Sequence, residues 1–147
     1  MNKHYVDWSE INALVFRLCH RIKTSELKFK NIYGLPRGGL IPAVMLSHRL
    51  EIPLVKGDIG PDTLIVDDIC DSGETLDKFI IKYQTLYSFP FNLKTAVLHY
   101  KPHTSCFEPT FNAKKWDKDD WLVYPWETEN SEPIQDYKVK IGQVENY

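Results

Sequence analysis

No apolar run in the chain approaches the roughly 20 residues that a membrane-spanning helix requires, so no span is expected. The opening residues MNKHYVDWSE lack the order of a secretory signal, which makes the cytoplasm the expected location. Cysteine is scarce. Cys19, Cys70 and Cys106 form an odd set, and no two have the spacing of a metal knuckle or a redox pair. Reduced, mostly buried thiols are expected instead of a disulfide framework. A strong charge of either sign is also missing. The formal net charge of −2 gives no global field that would favour nucleic acid or an anionic membrane. There are no repeats and no low-complexity linkers, and 147 residues suit one domain with a real core.

What is present is alternation of strand-like and helix-like segments. Residues 9–23 place Ile11, Leu14, Val15, Leu18 and Ile22 at helical spacing, with Ser9 as the expected N-cap. The run NIYGL reads as a buried strand that stops at PRGG, a loop by its proline and paired glycines. LIPAVMLSHRL reads as a helix, with Pro42 near its tolerant first turn. IPLV and TLIVDD are expected strands. Leu76, Phe79, Ile80 and Tyr83 mark a helix, KTAVLHY a fourth strand and DWLVYPW a short fifth one. This order predicts an α/β fold: a mostly parallel central sheet of about five strands flanked by helices. Residues 101–120 read as an irregular excursion, and the polar tail 128–147 is uninformative.

The segment LIVDDICDSGETL carries the chemistry. In parallel sheets, ligands bind at the carboxyl ends of the strands, where Asp67 and Asp68 are expected. Ser72, Gly73, Glu74 and Thr75 form the turn into the next helix. A helix start offers unpaired N–H groups and partial positive charge, which suit a phosphate. Acids beside a phosphate repel it unless something lies between them. Sugar hydroxyls fit that place, and so does Mg²⁺, a hard cation that prefers oxygen. The expected ligand therefore carries a 5′-phosphate, a ribose diol and a metal ion. Arg37 and Gly38 in the PRGG loop suit a second phosphate group, through a forked cation and exposed backbone N–H groups.

LIVDDICDSGET resembles the 5-phosphoribosyl-1-pyrophosphate (PRPP) motif of type I phosphoribosyltransferases. YGLPRGGLIPAVMLSHRL resembles the pyrophosphate loop and following helix of the purine members. HYKP with DWLVYPWE resembles the base-binding end of xanthine-guanine phosphoribosyltransferases. The resemblance covers about residues 5–127. It implies a phosphoribosyltransferase-like domain over 1–127, with a small hood around 101–127. The implied reaction transfers the phosphoribosyl group of PRPP to a 6-oxopurine (guanine, xanthine or hypoxanthine) and releases pyrophosphate. On this resemblance Asp67 and Asp68 hold the ribose, Asp68 binds Mg²⁺, and Asp71 is the general base. Lys101 meets the exocyclic oxygen of the purine, Trp121 stacks on it, and the Leu122 backbone reads its edge. Glu127 is matched to an acid near the exocyclic amine. A non-proline cis peptide at Pro36–Arg37 and a homo-oligomer, dimer or tetramer, are also implied.

The chain departs from that family in one respect. Only KGDIGPDT, residues 56–63, separates IPLV from LIVDD, where relatives carry a long closing loop. Cover for the reacting sugar is then expected from residues 102–120 or from a neighbouring subunit. The short connection favours a second reading, a non-catalytic PRPP- or nucleotide-binding regulator of the same fold. The purine-site residues favour the enzyme. A phosphoacceptor receiver domain needs its acid pair at the first strand, and this pair is not there.

Overall fold

The computed structural model describes residues 2–87 and 93–128. Five parallel strands form the main sheet in the order β3 (Leu54–Val55), β2 (Asn31–Gly34), β4 (Thr63–Cys70), β5 (Lys94–Tyr100) and β6 (Phe111–Lys115). α1 (Trp8–Thr24) and α2 (Leu40–Leu50) cover one face, burying Leu18, Ala43 and Leu46 against Leu64, Val66 and Leu98. α3 (Glu74–Tyr87) covers the other face, with Leu76 and Ile80 packed on Ile65 and Val97. With helices on both faces, β4 is apolar without alternation from Leu64 to Val66.

Three sequence expectations change. The N-cap of α1 is Asp7, not Ser9, because the Asp7 carboxylate accepts the Glu10 N–H at 2.8 Å. Residues 111–115 are not irregular: they form β6, the sheet edge, whose Phe111 and Ala113 are buried by α1. DWLVYPW does not supply the fifth strand of the main sheet. Its Trp121–Val123 segment, β7, pairs in parallel with β1 (Lys3–Tyr5) in a separate two-stranded sheet. β1 is too short and too polar to be legible from its own residues. The tail beyond Thr128 lies outside the described residues. Among the described residues, no helix is long and apolar enough to cross a membrane.

Because the main strands are parallel, β2, β4 and β5 all end at one edge. The PRGG loop, the acid turn and the segment after Tyr100 therefore leave the sheet side by side.

Candidate active site

β2 leaves the ladder where Gly34 faces Val66, one residue before the acid pair. The chain then enters PRGG, with a cis peptide between Pro36 and Arg37. Gly38 lies against the Asp68 carboxylate, and a Cβ at that position would collide with it. Arg37 is exposed at the rim of this loop. The loop and the acid pair are thus one surface.

The two acids are half-buried, and each bonds the backbone. Asp67 Oδ1 accepts the Asp68 N–H at 2.8 Å, and Asp68 Oδ1 accepts the Ile69 N–H at 2.7 Å. Burial pushes the Asp68 carboxyl up to about 6. Bonds from Asp67 and Ile69 oppose the shift and the charge of Glu127 adds to it.

The turn that follows gives Gly73 a second role. This residue has φ +80°, which L side chains rarely adopt. A Cβ there would stand 2.5 Å from Ser105 Oγ and 2.8 Å from Phe107. The glycine is needed for close packing of residues 105–107 as well as for backbone access. That packing is hydrogen-bonded: Cys106 N–H donates to Ser72 O at 2.8 Å. Ser105 Oγ lies 3.3 Å from the Cys70 thiol, which burial pushes up to about 11, so this cysteine is a poor nucleophile. Ser72 Oγ accepts the Glu74 N–H at 3.3 Å and opens α3, while Ser72, Glu74 and Thr75 remain exposed.

Lys101 is 4% exposed, and a buried ammonium needs partners. Its Nζ donates to the Asp120 carbonyl at 2.8 Å and to Asp71 Oδ2 at 3.4 Å. The other Asp71 oxygen, Oδ1, lies 2.9 Å from Thr104 Oγ1. Trp121, half-buried, follows Asp120 directly, while Leu122 is buried. The fold therefore gathers Asp71, Lys101 and the Asp120 carbonyl just before Trp121, which lie far apart in sequence.

Thr104 carried no sequence signal, since a lone threonine in a polar loop has none. Nor did Tyr124, whose hydroxyl meets the Asp68 carbonyl at 3.3 Å and His99 Nδ1 at 2.8 Å. Glu127 Oε1 accepts the Tyr124 N–H at 3.0 Å, so this acid is in part a backbone partner and not solely a group for an exocyclic amine. Trp116 and His99 are buried, as core residues should be.

Among the described residues, no three His, Cys, Asp or Glu side chains gather to hold a metal ion. Oxygen donors at Asp68, with few protein ligands, suit an ion that keeps most of its bonds to water and substrate phosphates, which is the habit of Mg²⁺.

The features together define an α/β protein in which a carboxylate pair near the end of a central strand is followed by a helix-opening turn. No protein-family model matches the chain. It is 24% identical over 147 residues to a xanthine-guanine phosphoribosyltransferase of Desulfotalea psychrophila, spanning 85% of this chain and 86% of that one. It is 28% identical over 153 residues to an enzyme of the same name from Cereibacter sphaeroides, spanning 84% and 86%. Its fold matches the crystal structure of a purine phosphoribosyltransferase from Pyrococcus horikoshii at TM-score 0.74 and 31% identity, covering 91% of this chain and 100% of that one. The chain belongs to the type I phosphoribosyltransferases.

Proposed function

We propose that this protein is a purine phosphoribosyltransferase that moves the 5-phosphoribosyl group of PRPP onto a 6-oxopurine, with release of pyrophosphate. One juxtaposition supports the site assignment most strongly. Lys101 Nζ bridges Asp71 of the acid turn and the carbonyl just before Trp121, at 3.4 and 2.8 Å. This link between the acid turn and the residue before Trp121 supports a phosphate-binding turn lying beside a base platform, as a nucleotide product requires.

In this reading the N–H groups opening α3, with Ser72, Gly73, Glu74 and Thr75, take the 5′-phosphate. Asp67 and Asp68 accept from the ribose hydroxyls. Arg37 and Gly38 face the pyrophosphate. Lys101 donates to the exocyclic oxygen of the purine, Trp121 stacks on the ring, and the Leu122 backbone meets its edge. The base nitrogen forms a bond to C1 of the sugar as the C1–oxygen bond to pyrophosphate breaks. Asp71 receives the proton that the base gives up. Mg²⁺, bound with PRPP through Asp68, would neutralise charge on the leaving pyrophosphate. The protein's own part is mainly positioning and electrostatics.

Residues 56–62 are too few for a long lid, and they are tied at Thr63, whose Oγ1 accepts the Gly60 N–H at 2.9 Å. Cover for the sugar falls instead to residues 102–108, already bonded to the acid turn through Thr104 and Cys106. Residues 1–127 act as the catalytic unit, in the cytoplasm, as a dimer or tetramer, with 128–147 a polar extension.

The test is incubation with PRPP, Mg²⁺ and guanine, xanthine or hypoxanthine in turn, following nucleotide and pyrophosphate. Product from at least one base is expected. Tight PRPP binding with no product from any base would leave a regulator in place of an enzyme.

A further inference from the structure

β4 has a strand on each side up to Val66. Beyond it, β2 has turned away into the PRGG loop, while Asp67 and Ile69 still face Val97 and His99 of β5. The peptide groups around Asp68 lose their β2 neighbour at the place where the acid pair must keep a fixed geometry. A backbone carbonyl in that position needs another donor. It finds the hydroxyl of Tyr124, at 3.3 Å, from the hood residue just after β7.

Tyr124 is itself held on every side. Its N–H donates to Glu127 Oε1 at 3.0 Å. Its ring lies on Trp126 with centroids 4.8 Å apart and planes 4° from parallel. Its oxygen lies 2.8 Å from His99 Nδ1. A tyrosine hydroxyl has one proton, so the two bonds determine the histidine tautomer. If Tyr124 donates to Asp68, His99 Nδ1 carries a proton and donates to Tyr124. Only Nε2, a bare acceptor, is then left without a partner. The opposite arrangement would orphan a buried Nε2–H and the Asp68 carbonyl together, which costs more. His99 therefore feeds Tyr124, and Tyr124 feeds the Asp68 backbone. Burial holds both groups neutral: the His99 imidazole is pushed down to about 4 and the Tyr124 hydroxyl is raised.

We propose that Tyr124, oriented by His99, is a positioning residue for ribose recognition, its hydroxyl fixing the Asp68 main chain and thereby the acid pair. This rests on the assignment of Asp67 and Asp68 to the ribose of PRPP. It links the hood to the sugar half of the site, in addition to the hood's place over the base.

The test compares the full chain with Tyr124→Phe, which removes the hydroxyl and keeps the ring on Trp126. Steady-state kinetics give kcat and KM for PRPP and for purine, and calorimetry gives the Kd for PRPP with Mg²⁺. The expected result is a rise of about tenfold in Kd and KM for PRPP, with purine KM within about twofold. His99→Leu should produce a smaller rise in the same constants, and no further rise when added to Tyr124→Phe. Unchanged PRPP affinity in Tyr124→Phe would overturn the proposal. So would an equal loss for purine, or a His99→Leu effect that is undiminished in the Tyr124→Phe background. Should Tyr124→Phe fail to fold, the His99→Leu constants decide alone: unchanged PRPP affinity there also overturns it. If the wild-type chain binds PRPP but makes no nucleotide, the enzyme assignment fails while the Kd ratio still judges this proposal. If it binds no PRPP, both fall.

Discussion

The acid turn and the hood are built in opposite ways. From Asp67 to Thr75 the functional groups are close in sequence, and their partners are mostly local: Asp67 bonds the Asp68 N–H, Asp68 the Ile69 N–H, and Ser72 the Glu74 N–H. The hood is assembled from distant pieces. β1 and β7 join the chain's first residues to residues 121–123, and Lys101, Thr104 and Tyr124 each reach back to the acid turn or the strand before it. A local motif suits a ligand part common to many reactions, the phosphorylated ribose. An assembled one suits the part that varies, the base. Loss of a single contact should therefore act differently in the two regions.

The largest effect is expected at the seam between them. Asp71→Asn keeps the shape and removes the proposed proton acceptor, and kcat should fall by about 10²–10⁴-fold while PRPP still binds. Pre-steady-state nucleotide formation measures this, and full turnover would remove Asp71 as the base. Next is the hood. Trp121→Ala should weaken purine binding by about 1–3 kcal/mol and leave the PRPP Kd unchanged. Equal weakening of both ligands would show that the two regions do not divide the substrates as described.

A smaller effect is expected within the turn. Gly73→Ala meets a positive φ and the Ser105–Phe107 strap together, and should lower stability by about 1–3 kcal/mol. Urea unfolding measures it, and no loss would mean that the strap moves aside freely.

The finest comparison is in pH. Burial first of all raises Asp68 from 3.8 to about 6, so between those values the folded chain keeps a proton that the unfolded chain has lost. Its contribution to stability is therefore full at low pH and is lost as pH rises to about 6. His99 is the reverse. Burial lowers it from 6.5 to about 4, the unfolded chain binds the extra proton, and stability is lost as pH falls from 6.5 to about 4. The two slopes oppose each other across most of the same range. Without Mg²⁺ or ligand, Asp68→Asn should leave stability that climbs with pH, and His99→Leu stability that declines. Urea titrations from pH 4 to 7 test this, and parallel curves for both variants would refute it.

The sequence by itself determined the elements of α2 and β5, whose observed bounds are LIPAVMLSHRL and KTAVLHY as read. It also determined the acid turn, because apolar periodicity, glycine and adjacent carboxylates act within a few residues. It missed β1 and β6, because three polar residues or a mixed FNAKK run become strand only when a partner edge supplies the hydrogen bonds. It also missed Thr104 and the Tyr124–His99 pair, since a hydroxyl or imidazole has no periodic signature and gains its role from the group it meets. Only the tertiary structure decided that Lys101 lies between Asp71 and Asp120, and that the carbonyl of Asp68 is taken up from the hood. A buried charge and an unpaired carbonyl must find partners wherever the fold has brought them, and chain order does not record where that is.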